Sequence, residues 1–216
     1  MRSKFRKAFD SLIEQPPLLF RLLFPEAMFR ISGPRPRVFL TFDDGPIPEV
    51  TPWVLDVLDR YGIRATFFMV GDNVRKHPEV FEMVRQRGHA VGNHTMHHLQ
   101  GAGCTTRRYI ADVQQANALI GSHLFRPPHG WLRWAQAAAS KRSYNLVMYD
   151  LITRDYSRRL TADDVVENVR RYARNGSIIV FHDSLKSWPR LQSALPRAIE
   201  WLLEQGYEFR TLQPRD

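Results

Sequence analysis

Cysteine is nearly absent from this 216-residue chain. The single Cys104 excludes an intrachain disulfide and a cysteine-rich zinc site, so the fold does not depend on an oxidising compartment. Long apolar runs are missing too. The most apolar stretch near the N-terminus, Pro17 to Phe24, is too short to span a bilayer and is interrupted by Arg21. It is not followed by a small-residue cleavage site, so no secretory signal is expected, and the predicted location is cytoplasmic or membrane-peripheral. There is no low-complexity segment and no internal repeat. There is also no dense Arg/Lys block interleaved with aromatics, so no nucleic-acid partner is expected. Acidic residues are in deficit: 22 Asp and Glu stand against 31 Lys and Arg, a formal charge of +9 that favours anionic partners.

What remains is an ordinary globular composition, 44% hydrophobic and 25% charged, enough to build one core. Residues 1–36 read as a basic and amphipathic segment that packs on the domain or on a membrane surface, with a peripheral membrane contact through residues 1–30. Residues 37–216 read as the domain, expected to be monomeric. From Val38 onward, short apolar runs alternate with amphipathic helices. Strands are predicted at 38–42, 65–70, 89–92, 124–126, 145–149, 177–182 and 207–212. Helices are predicted from Thr51 (as N-cap), Pro78, Thr105 or Thr106, Trp131, Thr161 and Pro189. Repeated strand–helix units predict a mostly parallel sheet in an α/β fold, a small distorted barrel whose chemistry collects at the C-terminal strand ends.

The residues at those ends carry the functional signal. The first run closes in Thr41-Phe42-Asp43-Asp44-Gly45-Pro46. Two adjacent buried carboxylates repel each other and cost free energy to desolvate unless a cation or a proton transfer needs them. The third run leads into His94-Thr95-Met96-His97-His98, where His94 and His98, four apart, would share one face of a helical turn. One carboxylate and two imidazoles leave coordination positions open for water and substrate, and the neighbouring carboxylate free to act as a base. Arg126, Asp150 or Asp155, and His182 occupy the ends of later runs.

With these residues assembled, the chain resembles the polysaccharide deacetylases, the NodB homology domain of carbohydrate esterase family 4. The resemblance covers residues 37 to 213. Its motifs stand here as Thr41–Pro46, as His94 to His98, as Arg126-Pro127-Pro128-His129-Gly130 with His129 where Tyr is usual, as Asp155-Tyr156 where Asp-Trp is usual, and as Val180-Phe181-His182. The resemblance implies a NodB-like distorted (β/α)7–8 barrel. It also implies metal-dependent hydrolysis of the N-acetyl group of N-acetylhexosamine residues in a glycan, releasing acetate. Asp44, His94 and His98 would hold a divalent metal, Zn first, with Co, Ni, Mn and Fe open. Asp43 would be the general base, and Arg126 would keep it charged and oriented. His182 would protonate the leaving amine with Asp155 behind it, Asp150 and Asp183 being the alternative partners. The backbone N–H of His129 would serve as oxyanion donor. His129, Gly130 and Tyr156 would line the substrate site, and Trp131 and Trp188 are the tryptophans placed to stack on a sugar. The other readings are a vestigial glycan- or membrane-binding barrel, a deacylase of a lipid-linked sugar or small-molecule amide, and an iron oxygenase using the same ligand triad.

Overall fold

The computed structural model describes residues 13–214. The first twelve residues of the segment 1–36, part of the membrane contact expected through residues 1–30, lie outside the described residues. The strands are β1 (Arg37–Asp43), β2 (Thr66–Met69), β3 (Ala90–Asn93), β4 (Leu124–Phe125), β5 (Asn145–Leu146), β6 (Leu151–Ile152), β7 (Ser177–His182) and β8 (Glu208–Phe209). They form one curled sheet in the order β5-β4-β3-β2-β1-β7-β6, with β8 paired to the start of β1. All named pairings are parallel. This is a distorted, incompletely hydrogen-bonded barrel, as the alternation of apolar runs implied.

The long central strands β1 and β7 are buried almost throughout, which is why they read as continuous apolar runs. Their register sets Asp43 beside His182, and Asp43 beside Phe68 on β2. Every strand therefore delivers its following residues to the same end of the barrel.

The helices that flank the sheet are α1 (Leu18–Leu23), α2 (Thr51–Arg60), α3 (Gly71–Lys76), α4 (Pro78–Gln86), α5 (Thr106–Ile120), α6 (Trp134–Ser140), α7 (Ala162–Tyr172) and α8 (Trp188–Glu204). Val54, Leu55, Leu58, Val165, Val169, Leu195 and Ile199 pack against Leu40, Phe42 and Ile179 in the main core. The capping box predicted at Thr161 forms, with Thr161 and Asp164 bonded reciprocally. No helix among the described residues is long and apolar enough to cross a membrane.

Several local expectations are corrected. Thr51 is the first residue of α2 and not its N-cap, because its hydroxyl is drawn to Asp183 Oδ2 at 2.6 Å and accepts from Ile47 N. Trp131 to Arg133 are extended, and α6 starts at Trp134, since Gln136 caps the Arg133 N–H and anchors Gly101 O. Helix α3 and strand β6 were not anticipated, both being too short to establish a period. Within the N-terminal segment, Phe24, Ala27 and Phe29 turn inward and join Tyr109, Phe125 and Met148 in a second apolar cluster, while Pro25 and Glu26 stay exposed.

Candidate active site

Strand β1 ends in Asp43, and the chain turns immediately. Asp44 sits at φ 84°, a conformation that disfavours residues with a Cβ, so the turn must be held from outside. It is: Asn73 Nδ2 donates to Asp44 O, Gly45 N donates to Asp183 Oδ1, and Asp183 N donates to Asp43 O. Gly45 is required by close approach, since a Cβ there would lie 2.0 Å from Asp183 Oδ2. Among the described residues, five non-glycine positions have positive φ, and four of them (Asp44, Thr95, His98 and His129) surround this site. Each such residue stores about 1–3 kcal/mol of strain, tolerated where the backbone must aim a functional group.

The segment from His94 to His98 is not helical, contrary to the reading from the i,i+4 spacing. It is a loop with Thr95 at φ 66° and His98 at φ 52°. Side chains pin it: Asn93 Oδ1 accepts from Thr95 N, Thr95 Oγ1 from Leu99 N, and Asp112 Oδ2 from the N–H groups of Met96 and His97. His97 Nδ1 donates to Asp112 Oδ1 at 2.6 Å, so His97 serves the loop and faces away from the cluster. His94 and His98 face Asp44, with His98 Nε2 3.2 Å and His94 Nε2 3.8 Å from Asp44 Oδ1. One ligand atom from each of Asp44, His94 and His98 lies within 4.8 Å of the others. His94 Nδ1 donates to Arg126 O at 2.8 Å, which leaves the Nε2 lone pair aimed at the cluster. Burial of His94, with His98 beside it, lowers its pKa to about 4, so the ring is neutral and fit to ligate. Burial raises the Asp44 pKa, but the His98 hydrogen bond and the charge of His182 outweigh it and hold the carboxyl well below its usual range.

Asp43 is buried beside them. Its Oδ1 accepts from Arg126 Nη1 at 2.6 Å, while its Oδ2 lies 4.0 Å from His94 Nε2. Arg126, 2% exposed, also donates to Thr41 Oγ1 and Met148 O, and its guanidinium lies over the Phe68 ring, 4.0 Å from the centroid.

On the far side, His182 Nδ1 donates to Asp155 Oδ1 at 2.7 Å, and the His182 backbone N–H donates to Asp155 Oδ2. Burial pulls the imidazole pKa down, but Asp155, helped by Asp44 and Asp43, raises it to about 9. Of the alternatives, Asp150 is saturated by Arg21, Arg174 and Ser177, and Asp183 by Thr51 and Gly45. Neither partners His182. The Tyr156 ring stands edge-on to His182, and the His129 ring edge-on to His98.

A cavity of about 670 Å³ joins Asp43, Asp44, His94, His98, Arg126, His129, Gly130, Tyr156 and His182. Trp131 also lines it. Trp188 does not, and packs edge-to-face on Trp53 with 5.1 Å between centroids, so it is not placed to stack on a sugar. Sequence reasoning missed the apolar wall formed by Ile13, Pro16, Pro17, Phe20, Met148, Tyr149 and Ile152. Phe20 contacts Trp131 at 5.3 Å between centroids, but apolar side chains by themselves do not distinguish wall from core.

A parallel half-barrel with carboxylates and imidazoles gathered at its strand ends is the architecture expected of a carbohydrate esterase. Comparison with known proteins agrees. The polysaccharide deacetylase family model matches residues 30–149. A peptidoglycan-N-acetylglucosamine deacetylase of Bacillus cereus is 33% identical over 183 residues, spanning 81% of this chain and 85% of that protein. The crystal structure of the Bc1960 peptidoglycan N-acetylglucosamine deacetylase superposes with a TM-score of 0.80 at 29% identity, covering 91% of this chain and 94% of that one. BA3943 of Bacillus anthracis, a pseudoenzyme of the CE4 family, superposes with a TM-score of 0.78 at 25% identity, covering 87% of this chain and 68% of its own. This chain belongs to the polysaccharide deacetylase family. Asp155 and His182 fall beyond the matched segment and join the site through the fold.

Proposed function

We propose that this protein is a metal-dependent deacetylase that hydrolyses the N-acetyl group of N-acetylhexosamine residues in a glycan. The observation that carries the reading is the convergence of Asp44, His94 and His98 next to a second carboxylate, Asp43, whose Oδ2 is not taken by Arg126. The donor chemistry fits a divalent cation: one carboxylate held ionised, one imidazole held neutral with its other nitrogen tied to a backbone carbonyl. Zinc is the cation expected, because mixed nitrogen and oxygen donors suit it. When bound there, such a cation polarises the acetyl carbonyl and acidifies an adjacent water.

The protein's own groups do the rest. Asp43 takes the attacking water's proton on Oδ2 while Arg126 holds Oδ1 and fixes the carboxylate's orientation. His182, charged at neutral pH with Asp155 on Nδ1, hands the Nε2 proton to the departing amine nitrogen. The N–H of His129 stabilises the developing oxyanion, an interaction typically worth about 2.7–4 kcal/mol. Tyr156, His129 and Gly130 bound the sugar. The pseudoenzyme relative means that family membership alone does not establish turnover. The full set of Asp43, Asp44, His94, His98, Arg126, Asp155 and His182 favours catalysis over a vestigial barrel.

The test is elemental analysis of the purified protein together with acetate release from chitooligosaccharide and peptidoglycan fragments. About one metal per chain and metal-dependent acetate release are expected. A metal-free protein that binds glycan without releasing acetate would instead support the vestigial reading.

A further inference from the structure

Helix α1 is built with its polarity inverted. Arg21 turns inward and its Nη2 meets the buried Asp150 at 2.6 Å, whereas Leu18, Leu19 and Leu22 point to the outside at 72%, 73% and 65% exposure. Leu23 is exposed as well. The patch continues onto α6, where Trp134, 73% exposed, donates Nε1–H to Leu23 O, and onto the exposed Trp131, which packs on Phe20. The segment is firmly attached. Glu14 pairs with Arg154, both largely buried, and Phe24 and Phe29 are in the second core. Four leucines and two tryptophans in one contiguous face are costly against water and stabilising against hydrocarbon, and tryptophan is the residue favoured at a bilayer interface.

The charges around the patch point to the occupant. Arg30 and Arg174 flank Leu18 on one side. Arg133 and Lys141 flank Trp134 and Leu23 on the other; Lys141 is paired to Glu26 and Arg174 to the buried Asp150, so Arg30 and Arg133, with no carboxylate partner among the described residues, carry the charge of the rim. A second copy of a chain with formal charge +9 would be repelled by this rim, whereas anionic headgroups would be attracted. Phe20, Pro16 and Pro17 on the inner side of the same segment form a wall of the catalytic cavity.

We propose that α1, Trp131 and Trp134 dock the protein on an anionic lipid bilayer, so that the cavity takes N-acylated amino sugars anchored in that same bilayer. The substrate half of this inference rests on the deacetylase reading; the docking half does not.

The test uses the full chain, sedimented with vesicles of phosphatidylcholine alone or with phosphatidylglycerol added. Acetate release is followed in parallel from a soluble chitooligosaccharide and from an N-acetylglucosaminyl lipid carried in the vesicles. The wild type is expected to pellet with the anionic vesicles and to be released by salt. The triple variant Leu18→Ser/Leu19→Ser/Leu22→Ser is expected to lose roughly 100-fold or more in vesicle affinity. It should keep its rate on the soluble substrate and lose rate only on the lipid-borne one. Because these side chains are exposed, its melting temperature should match the wild type. Arg30→Glu supplies a second arm and should weaken binding to anionic vesicles alone. A wild type that ignores anionic vesicles, a triple variant that binds like wild type, or a dimer that the triple variant splits into monomers each overturns the docking. Equal rates on soluble and vesicle-borne substrate overturn the substrate assignment. Vesicle binding without acetate release from any substrate upholds the docking and sinks the deacetylase reading.

Discussion

Asp43 and Asp150 are both buried carboxylates that bind arginine, and they sit at opposite ends of the strands: Asp43 lies beside His182, the last residue of β7, whereas Asp150 accepts from Ser177, its first. At Asp150 every acceptor position is used: Arg21, Arg174 through two nitrogens, and Ser177. At Asp43 only Oδ1 is engaged, by Arg126, and Oδ2 faces the cavity. A saturated buried carboxylate ties segments together, here α1, the end of α7 and β7. An unsaturated one retains a lone pair for chemistry, and its desolvation must be offset elsewhere. The difference between Asp150 and Asp43, the proposed base, thus lies in how many of their oxygens are occupied, since both are buried and both are paired.

This contrast can be broken at several points. The largest effect is expected from the ligands. Asp44→Asn, or dialysis against a chelator, should remove detectable acetate release, and re-addition of zinc should restore it in the wild type only. Saturating metal should also raise the melting temperature, by about 2.7 kcal/mol of stability at 100 times Kd. Next is Asp43→Asn, expected to lower kcat by roughly 10²–10⁴-fold with metal content unchanged. Full activity in that variant removes the proposed base.

Third is Asp155→Asn. His182 has its pKa raised to about 9, so activity needing the imidazolium should persist through neutral pH and fall as pH rises through that value. Without the carboxylate the alkaline limb of the kcat profile should move to lower pH, while the acidic limb stays in place. The smallest catalytic effect belongs to Asp150→Asn. Its rate per folded molecule should equal wild type, with a loss of about 1–3 kcal/mol in denaturant unfolding. The pKa of Asp150 is lowered by hydrogen bonds to Arg174, Ser177 and Arg21, which outweigh burial. Its contribution is therefore present above the ordinary value of 3.8 and lost as pH falls through the lower folded-state value. The Asn variant should show a correspondingly weaker acid destabilisation. If Asp150→Asn instead abolished activity at full stability, the distinction between the two aspartates would fail.

Much of this architecture was legible in the chain. Strands β1 and β7 announce themselves because both of their faces are buried, and Asp43-Asp44 and His182 stand where those apolar runs stop. The family resemblance supplied the order of the motifs. The spacing of His94 and His98 singled out two rings that the structure does bring together beside Asp44, but the expected helical turn is absent, since Asn93, Thr95 and Asp112 hold them in a loop with left-handed residues. The cavity wall was hidden because Phe20 lies more than a hundred residues from Tyr149 and Ile152, and none of the three carries a charge. The orientation of α1 was hidden because periodicity cannot reveal which face of a short helix turns inward when a buried aspartate attracts its only arginine.

Composition and strand-end chemistry, read from the chain alone, decided the class of fold and which carboxylates and imidazoles stand at the strand ends, because burial periods and the order of polar residues after each apolar run are properties of local sequence. Tertiary structure alone decided that Asp155 and not Asp150 or Asp183 holds His182, that Asp43 keeps one oxygen open, and that four leucines face outward. Those outcomes depend on which distant groups arrive first at a donor or an acceptor, and only the folded chain sets that.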